Sequence, residues 1–206
     1  VNCDKPYGCD FKAHCWPDEI LNGYTVFNIS GLHDSKKFEL YESGVTKVKD
    51  VPETFPLPDN QRLQVDTELS GKEIVDLEQI NKFLNNLYYP FCFLDFETFT
   101  QTVPEWDDLR PYQKIPFQYS IHRIEREGED TAHLEFLAEE NSDPRRSIAE
   151  RLVRDIPKGV CVLVYNCSFE KGVLQDLAKQ FSDYSDHLMN IHDNVIDLMV
   201  PFQKKH

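Results

Sequence analysis

The stretch FCFLDFETF, Phe91 to Phe99, decides how this chain is read. It follows Pro90 and opens a region of short apolar runs, the pattern of strands rather than of helices. One residue separates Asp95 from Glu97, so the period-two geometry of a strand points both carboxylates to one face and Phe96 to the other, into a core. Like charges beside Phe93, Leu94 and Phe96 repel each other and favour protonation unless a cation neutralises them. A hard divalent ion does this with oxygen ligands, retained waters and only one or two protein carboxylates.

Downstream, Ile115, Phe117, Tyr119 and Ile121 alternate with Pro116, Gln118, Ser120 and His122, the period of a half-buried strand. Thr131 to Leu137 is a third apolar run, and together the three predict a meander. Asp143 before Pro144 signals a helix start, and Ile148, Leu152 and Ile156 give that helix its apolar stripe. Val160 to Tyr165 is a β-branched run bounded by Gly159 and Asn166, as in a buried strand. A helix from Ser168 would turn Val173, Leu174, Leu177, Ala178 and Phe181 inward, and a further segment covers Val195 to Met199. The predicted class is α/β, with the order βββαβα.

That order resembles the ribonuclease H-like fold, which implies a mixed sheet with the first and fourth strands adjacent at its centre. The segment FLDFETF resembles the first motif of the DEDD exonuclease superfamily. VLVYNCSFEKGVLQDLA resembles its second, a strand running into N-x-x-F-D and a helix, which places Asn166, Phe169 and Glu170 on that motif with Glu170 where Asp is usual. NVIDLMVPF resembles the strand that follows, and gives Asp197 a supporting role. RPYQKIPFQYS resembles a signature of an uncharacterised bacterial family in which such an exonuclease domain follows a RecB-like tail. The resemblance implies a 3'-5' exonuclease-like enzyme that hydrolyses DNA or RNA by a two-metal mechanism with Mg²⁺ or Mn²⁺. Asp95, Glu97 and Glu170 would be the catalytic and metal-binding residues, with Asn166 and Phe169 shaping the site. A third motif, a late-helix Asp with a neighbouring His or Tyr, has no counterpart before His206, and His206 does not match it. The start at Val1 and this ending suggest a fragment of a longer polypeptide, truncated at its carboxyl-terminal end, which is expected to fold but to be a poor or inactive catalyst.

Bland readings stand beside these. Glu170 is also a helix-first-turn acid favoured by the helix dipole, Asn166 a turn residue, and Asp197 a helix-start or strand-end acid. Tyr112, Phe117 and Tyr119 read first as core and strand packing, and second as base-stacking groups beside Arg110 and Lys114. His122 and His133 have strand positions that explain them without chemistry.

Upstream, Ser70 and Glu73 form a capping-box pattern, and Ile74, Leu77, Ile80, Leu84 and Leu87 recur at helical spacing as far as Pro90. Ser35 would cap a short helix ending at Gly44. Pro52, Pro56 and Pro58 suggest a linker. The expected organisation is a cysteine-containing region with short helices over 1–50, a linker over 51–69, and the α/β domain over 70–206. Cys3, Cys9 and Cys15, with Tyr7, Phe11 and Trp16 interleaved, suit metal or cluster ligation better than disulfides in a reducing compartment. CDKPYGCDFKAHCW is similar to the RecB-like tail, whose cysteines hold an iron-sulfur cluster. The competing readings are a Zn²⁺ site completed by His14 and free structural thiols. Cys92 and Cys161, inside strand-like runs, read as small buried hydrophobes.

With 22 Lys and Arg against 36 Asp and Glu, the formal charge of -14 excludes broad, sequence-blind attraction to phosphate. A nucleic-acid partner, expected to be single-stranded DNA or RNA, must be gripped locally or through metal. No apolar run approaches the roughly 20 residues of a membrane helix, and no basic-then-apolar leader is present, so a cytoplasmic location and no membrane partner are expected. The second function class is a catalytically inactive nucleic-acid or protein-binding module that keeps the fold.

Overall fold

A computed structural model describes residue 3 and residues 7–203. The chain divides into two compact units, Val1–Val75 and Asp76–His206.

The first unit contains four α-helices among the described residues, α1 (Lys12–Cys15), α2 (Asp18–Asn22), α3 (Asp34–Glu42) and α4 (Asp59–Ser70), and two short 3-10 helices, Val26–Asn28 and Val48–Asp50. Val26, Ile29, Leu32, Leu40, Val48 and Val65 form its core. Trp16 packs edge-on against Phe27, with ring centroids 5.0 Å apart. The α3 helix ends where expected, before Gly44 at φ 87°. Its cap is His33, whose side chain accepts from the Ser35 amide, rather than Ser35 itself.

Residues 51–69, expected as a linker, instead contain most of α4, with Val65 buried in this unit's core. The prolines stop before the helix: Pro58 takes the capping position, where a missing N–H costs nothing. The capping box at Ser70 and Glu73 does not form either. Ser70 closes α4, and Gly71, at φ 64°, reverses the chain in a left-handed conformation that glycine adopts without a Cβ clash. The next helix, α5 (Leu77–Leu84), starts only after Asp76, whose carboxylate accepts from the Gln79 amide at 3.0 Å.

The second unit is α/β, with a five-stranded mixed sheet in the order β3-β2-β1-β4-β5. The strands are β1 (Phe91–Phe99), β2 (Ile115–Ile124), β3 (Ala132–Leu137), β4 (Cys161–Val164) and β5 (Val195–Asp197). The first three form the antiparallel meander read from sequence, and β4 joins β1 in parallel. The connecting helices are α6 (Pro144–Asp155), α7 (Ser168–Gln180) and α8 (Ser182–Asp193), followed by α9 (Val200–Gln203). Asp143 caps α6 by accepting from the Arg145 amide, and Pro144 occupies its first turn. The α8 helix was not foreseen, because SDYSDHLMNIHD carries few apolar positions; Leu188 and Ile191 alone are fully buried.

One face of the sheet, carrying Cys92, Leu94, Phe96, Tyr119, Ile121, Val162 and Val164, packs against Ile148, Leu152, Leu174, Leu177, Leu188 and Ile191 of the three helices. Burial pushes the Cys92 thiol up to about 11, so it is a packed hydrophobe and not a nucleophile. Among the described residues no helix is long and apolar enough to cross a membrane.

Candidate active site

The register of β1 sets the site. Asp95 lies opposite Ser120 and Glu97 opposite Gln118, on the face away from the helices, and both are exposed while Phe96 between them is buried. A register shift between Glu97 and Thr98 follows, after which Thr98 and Phe99 pair with Pro116 and Ile115. Because β4 runs parallel to β1, the first turn of α7, just past the end of β4, comes beside the middle of β1, where Asp95 stands. Glu170 sits in that turn. In open α/β sheets the carboxyl end of a strand, here β4, is where ligands bind.

Asp95 and Glu170 line one cleft of about 380 Å³ with Ser120, His122 and Tyr165. Glu170 is 4% exposed, and its Oε2 has no hydrogen-bond partner. Burial raises the pKa of its carboxyl above the usual carboxylate range. The Asp95 and Asp197 charges push the same way, while its own backbone amide and Lys114 oppose them. It is therefore not a solvated helix-start acid. An orphaned buried carboxylate oxygen costs about 1–3 kcal/mol, and such a group is retained only where something compensates it.

Asp197 acts as a brace. Its Oδ1 accepts from the amides of Asn166 (2.9 Å) and Met199 (2.9 Å), and its Oδ2 accepts from that of Cys167 (3.0 Å). These bonds fix the turn in which Asn166 takes φ 67° and its Oδ1 accepts from the Ser168 hydroxyl. They also hold the Asp197 carboxyl below its usual range, despite a desolvation that works against this. Phe169 is partly buried against the helical core, with Lys114 Nζ 4.4 Å from its ring centroid.

Residues 92–206 match the family described as Domain of unknown function (DUF2779). The chain belongs to this family. No curated protein and no solved structure matches it. The matched DUF2779 region spans all five strands, apart from the first residue of β1, together with Asp95, Glu97, Glu170 and Asp197.

The fold of the DUF2779 region thus brings Asp95 and Glu170 together, while Glu97, on the same strand face, does not line their cleft. Among the described residues no three His, Cys, Asp or Glu side chains are arranged to hold a metal ion as they stand. Cys3 is partly exposed and Cys9 and Cys15 are exposed; all three are free thiols. His206 lies outside the described residues.

Of the aromatic trio, Tyr119 is fully buried, with its hydroxyl donating to Asp155 Oδ2 at 2.7 Å, whereas Tyr112 is 68% exposed. Core packing therefore accounts for Tyr119, and does not account for Tyr112. Sequence reasoning missed Ser120, His122 and Tyr165 as cleft neighbours. The alternation of β2 marks Ser120 and His122 as facing away from the core, but only the pairing of Asp95 with Ser120 brings them beside the acid.

Proposed function

We propose that the second unit is a metal-dependent nuclease of ribonuclease H-like fold that hydrolyses phosphodiester bonds of single-stranded DNA or RNA. The observation that carries this reading is Glu170, a buried carboxylate with an unpartnered oxygen, in one cleft with Asp95, where β4 ends beside the parallel strand β1. The strand order β3-β2-β1-β4-β5, with β1 beside β4, supports the fold assignment.

The donor set suits Mg²⁺ or Mn²⁺, since it consists of carboxylate oxygens and the free Oε2 of Glu170 would gain the partner it lacks. Asp95 and Glu170 would hold the ion, with Glu97 next along β1. Bound there, the ion would neutralise charge developing on the phosphate oxygens and acidify a water. The chain's own part is positional. Asp197 fixes the turn that presents Glu170, and Asn166 and Ser168 brace one another within it.

The test is cleavage of end-labelled single-stranded DNA and RNA with Mn²⁺. Cleavage should depend on Asp95, with Asp95→Asn lowering the rate by at least about a hundredfold, because a displaced ligand misplaces the attacking group. Cleavage at equal rates by Asp95→Asn would overturn the proposal. Binding without cleavage is the outcome expected of a module that has kept the fold and lost the chemistry.

A further inference from the structure

The second unit has an acidic surface in which cations are nearly all spoken for. Of its twelve described Lys and Arg residues, nine are ion-paired with an Asp or Glu. Among the described residues, Arg110, Lys114 and Lys171 have no carboxylate partner. Two of these three, Arg110 and Lys114, line one cavity of about 390 Å³. The third, Lys171, follows Glu170 on α7, the helix that supplies Ser168, Phe169 and Gly172 to the same cavity. Unpaired cations gathered at one place in a chain of charge -14 mark where an anion is wanted. The one acid in the cavity wall, Asp176, accepts from Lys179 at 3.5 Å.

Tyr112 lies in the same wall, and its ring is exposed. Its backbone is left-handed, φ 59°, a conformation that bulky residues rarely adopt. The Tyr112 amide, donating to Gln101 O at 2.8 Å, holds it there. The cavity therefore combines two cations without a carboxylate ion pair, Lys114 lying over the Phe169 ring, with an aromatic face, and its wall residue Phe169 is the sequence neighbour of Glu170.

We propose that this cavity is a subsite for single-stranded nucleic acid, in which Arg110 and Lys114 hold backbone phosphates and Tyr112 stacks on an unpaired base; the ligand class rests on the nuclease reading above. Phosphate accounts for the unpaired cations, and a splayed base accounts for a ring left mostly exposed. A duplex would hide its base faces from Tyr112 and would meet the surrounding acidic surface.

The experiment is fluorescence anisotropy of a short labelled oligothymidylate and a matched abasic oligomer in EDTA, over a range of salt concentrations. Arg110→Gln/Lys114→Gln should weaken binding at least about tenfold. It should also flatten the slope of log affinity against log salt by about 1.4, for two contacts of ~0.7 each. Arg126→Gln/Lys158→Gln removes the same charge elsewhere and should change the slope by less than half as much. Tyr112→Ala should weaken the base-bearing oligomer about tenfold and leave the abasic one unchanged.

Circular dichroism verifies folding of each variant; the three residues are surface-exposed, so it should be retained. An unaltered slope in the double variant, equal effects of Tyr112→Ala on both oligomers, or no binding by wild type overturns the subsite. Asp95-dependent cleavage with Mn²⁺ alongside an unaltered slope removes the subsite and leaves the nuclease. Binding lost in the double variant, from a wild type that never cleaves, removes the nuclease and leaves the subsite.

Discussion

Replacing Glu170 by Gln should make the metal-free protein more stable, and the effect should depend on pH. Its Oε2 is buried without a partner, and the neighbouring Asp95 and Asp197 charges disfavour ionisation. An orphaned buried acceptor costs about 1–3 kcal/mol; Gln keeps the shape, removes the charge and remains polar, so about 1 kcal/mol should be recovered. A carboxyl whose folded value is raised destabilises the folded state once the pH exceeds the value in the unfolded chain. Below about pH 4 both states are protonated and the difference vanishes; it grows as pH rises and is complete above the raised folded value. Thermal unfolding in EDTA at pH 8 should therefore place Glu170→Gln about 4 °C above wild type, and at pH 4 the two should coincide.

Saturating Mn²⁺ should invert the order. An ion at about 100 times its dissociation constant stabilises the folded state by about 2.7 kcal/mol, and the variant loses most of that. If Glu170→Gln is the less stable protein in EDTA at pH 8, or gains as much from Mn²⁺ as wild type does, the carboxylate is not an uncompensated ligand and the reasoning fails.

Asp197→Ala should cost about 2–4 kcal/mol in chemical denaturation, since three backbone amides lose a charged acceptor at once. Asp197→Asn keeps one oxygen and should lose about half of that; equal, sub-kilocalorie effects of the two would show that the turn holds itself. Tyr119→Phe should cost about 1–2 kcal/mol, because the hydroxyl bond to Asp155 is buried. Arg151 and Arg154 still partner that carboxylate, so a loss above about 3 kcal/mol would mean that the ring's packing had also changed.

Much of the second unit could be read from local pattern. Alternation in β2, the Asp143–Pro144 start of α6 and the β-branched run of β4 each express a short-range preference that packing later reinforces. The same holds for the shared face of Asp95 and Glu97, since two residues along one strand need no partner to point the same way. Where pattern misled, a competing local signal won. Gly71 reversed the chain where Ser70 and Glu73 suggested a helix start, and Asp76 supplied the cap instead.

Other features had no local signature, because they depend on which segments meet. The burial of Glu170 follows from β4 pairing in parallel with β1, and an acid in a helix's first turn looks the same in sequence whether solvent or Asp95 lies beside it. The different burial of Tyr112 and Tyr119 follows from the loop's left-handed turn and the strand's register. The unpaired state of Arg110 and Lys114 is likewise invisible in composition, since ion pairing is set by distances between side chains far apart in the chain. Chemical type and strand or helix phase are carried by the residues themselves, whereas desolvation and charge pairing arise only when the sheet closes and α7 is laid against its edge.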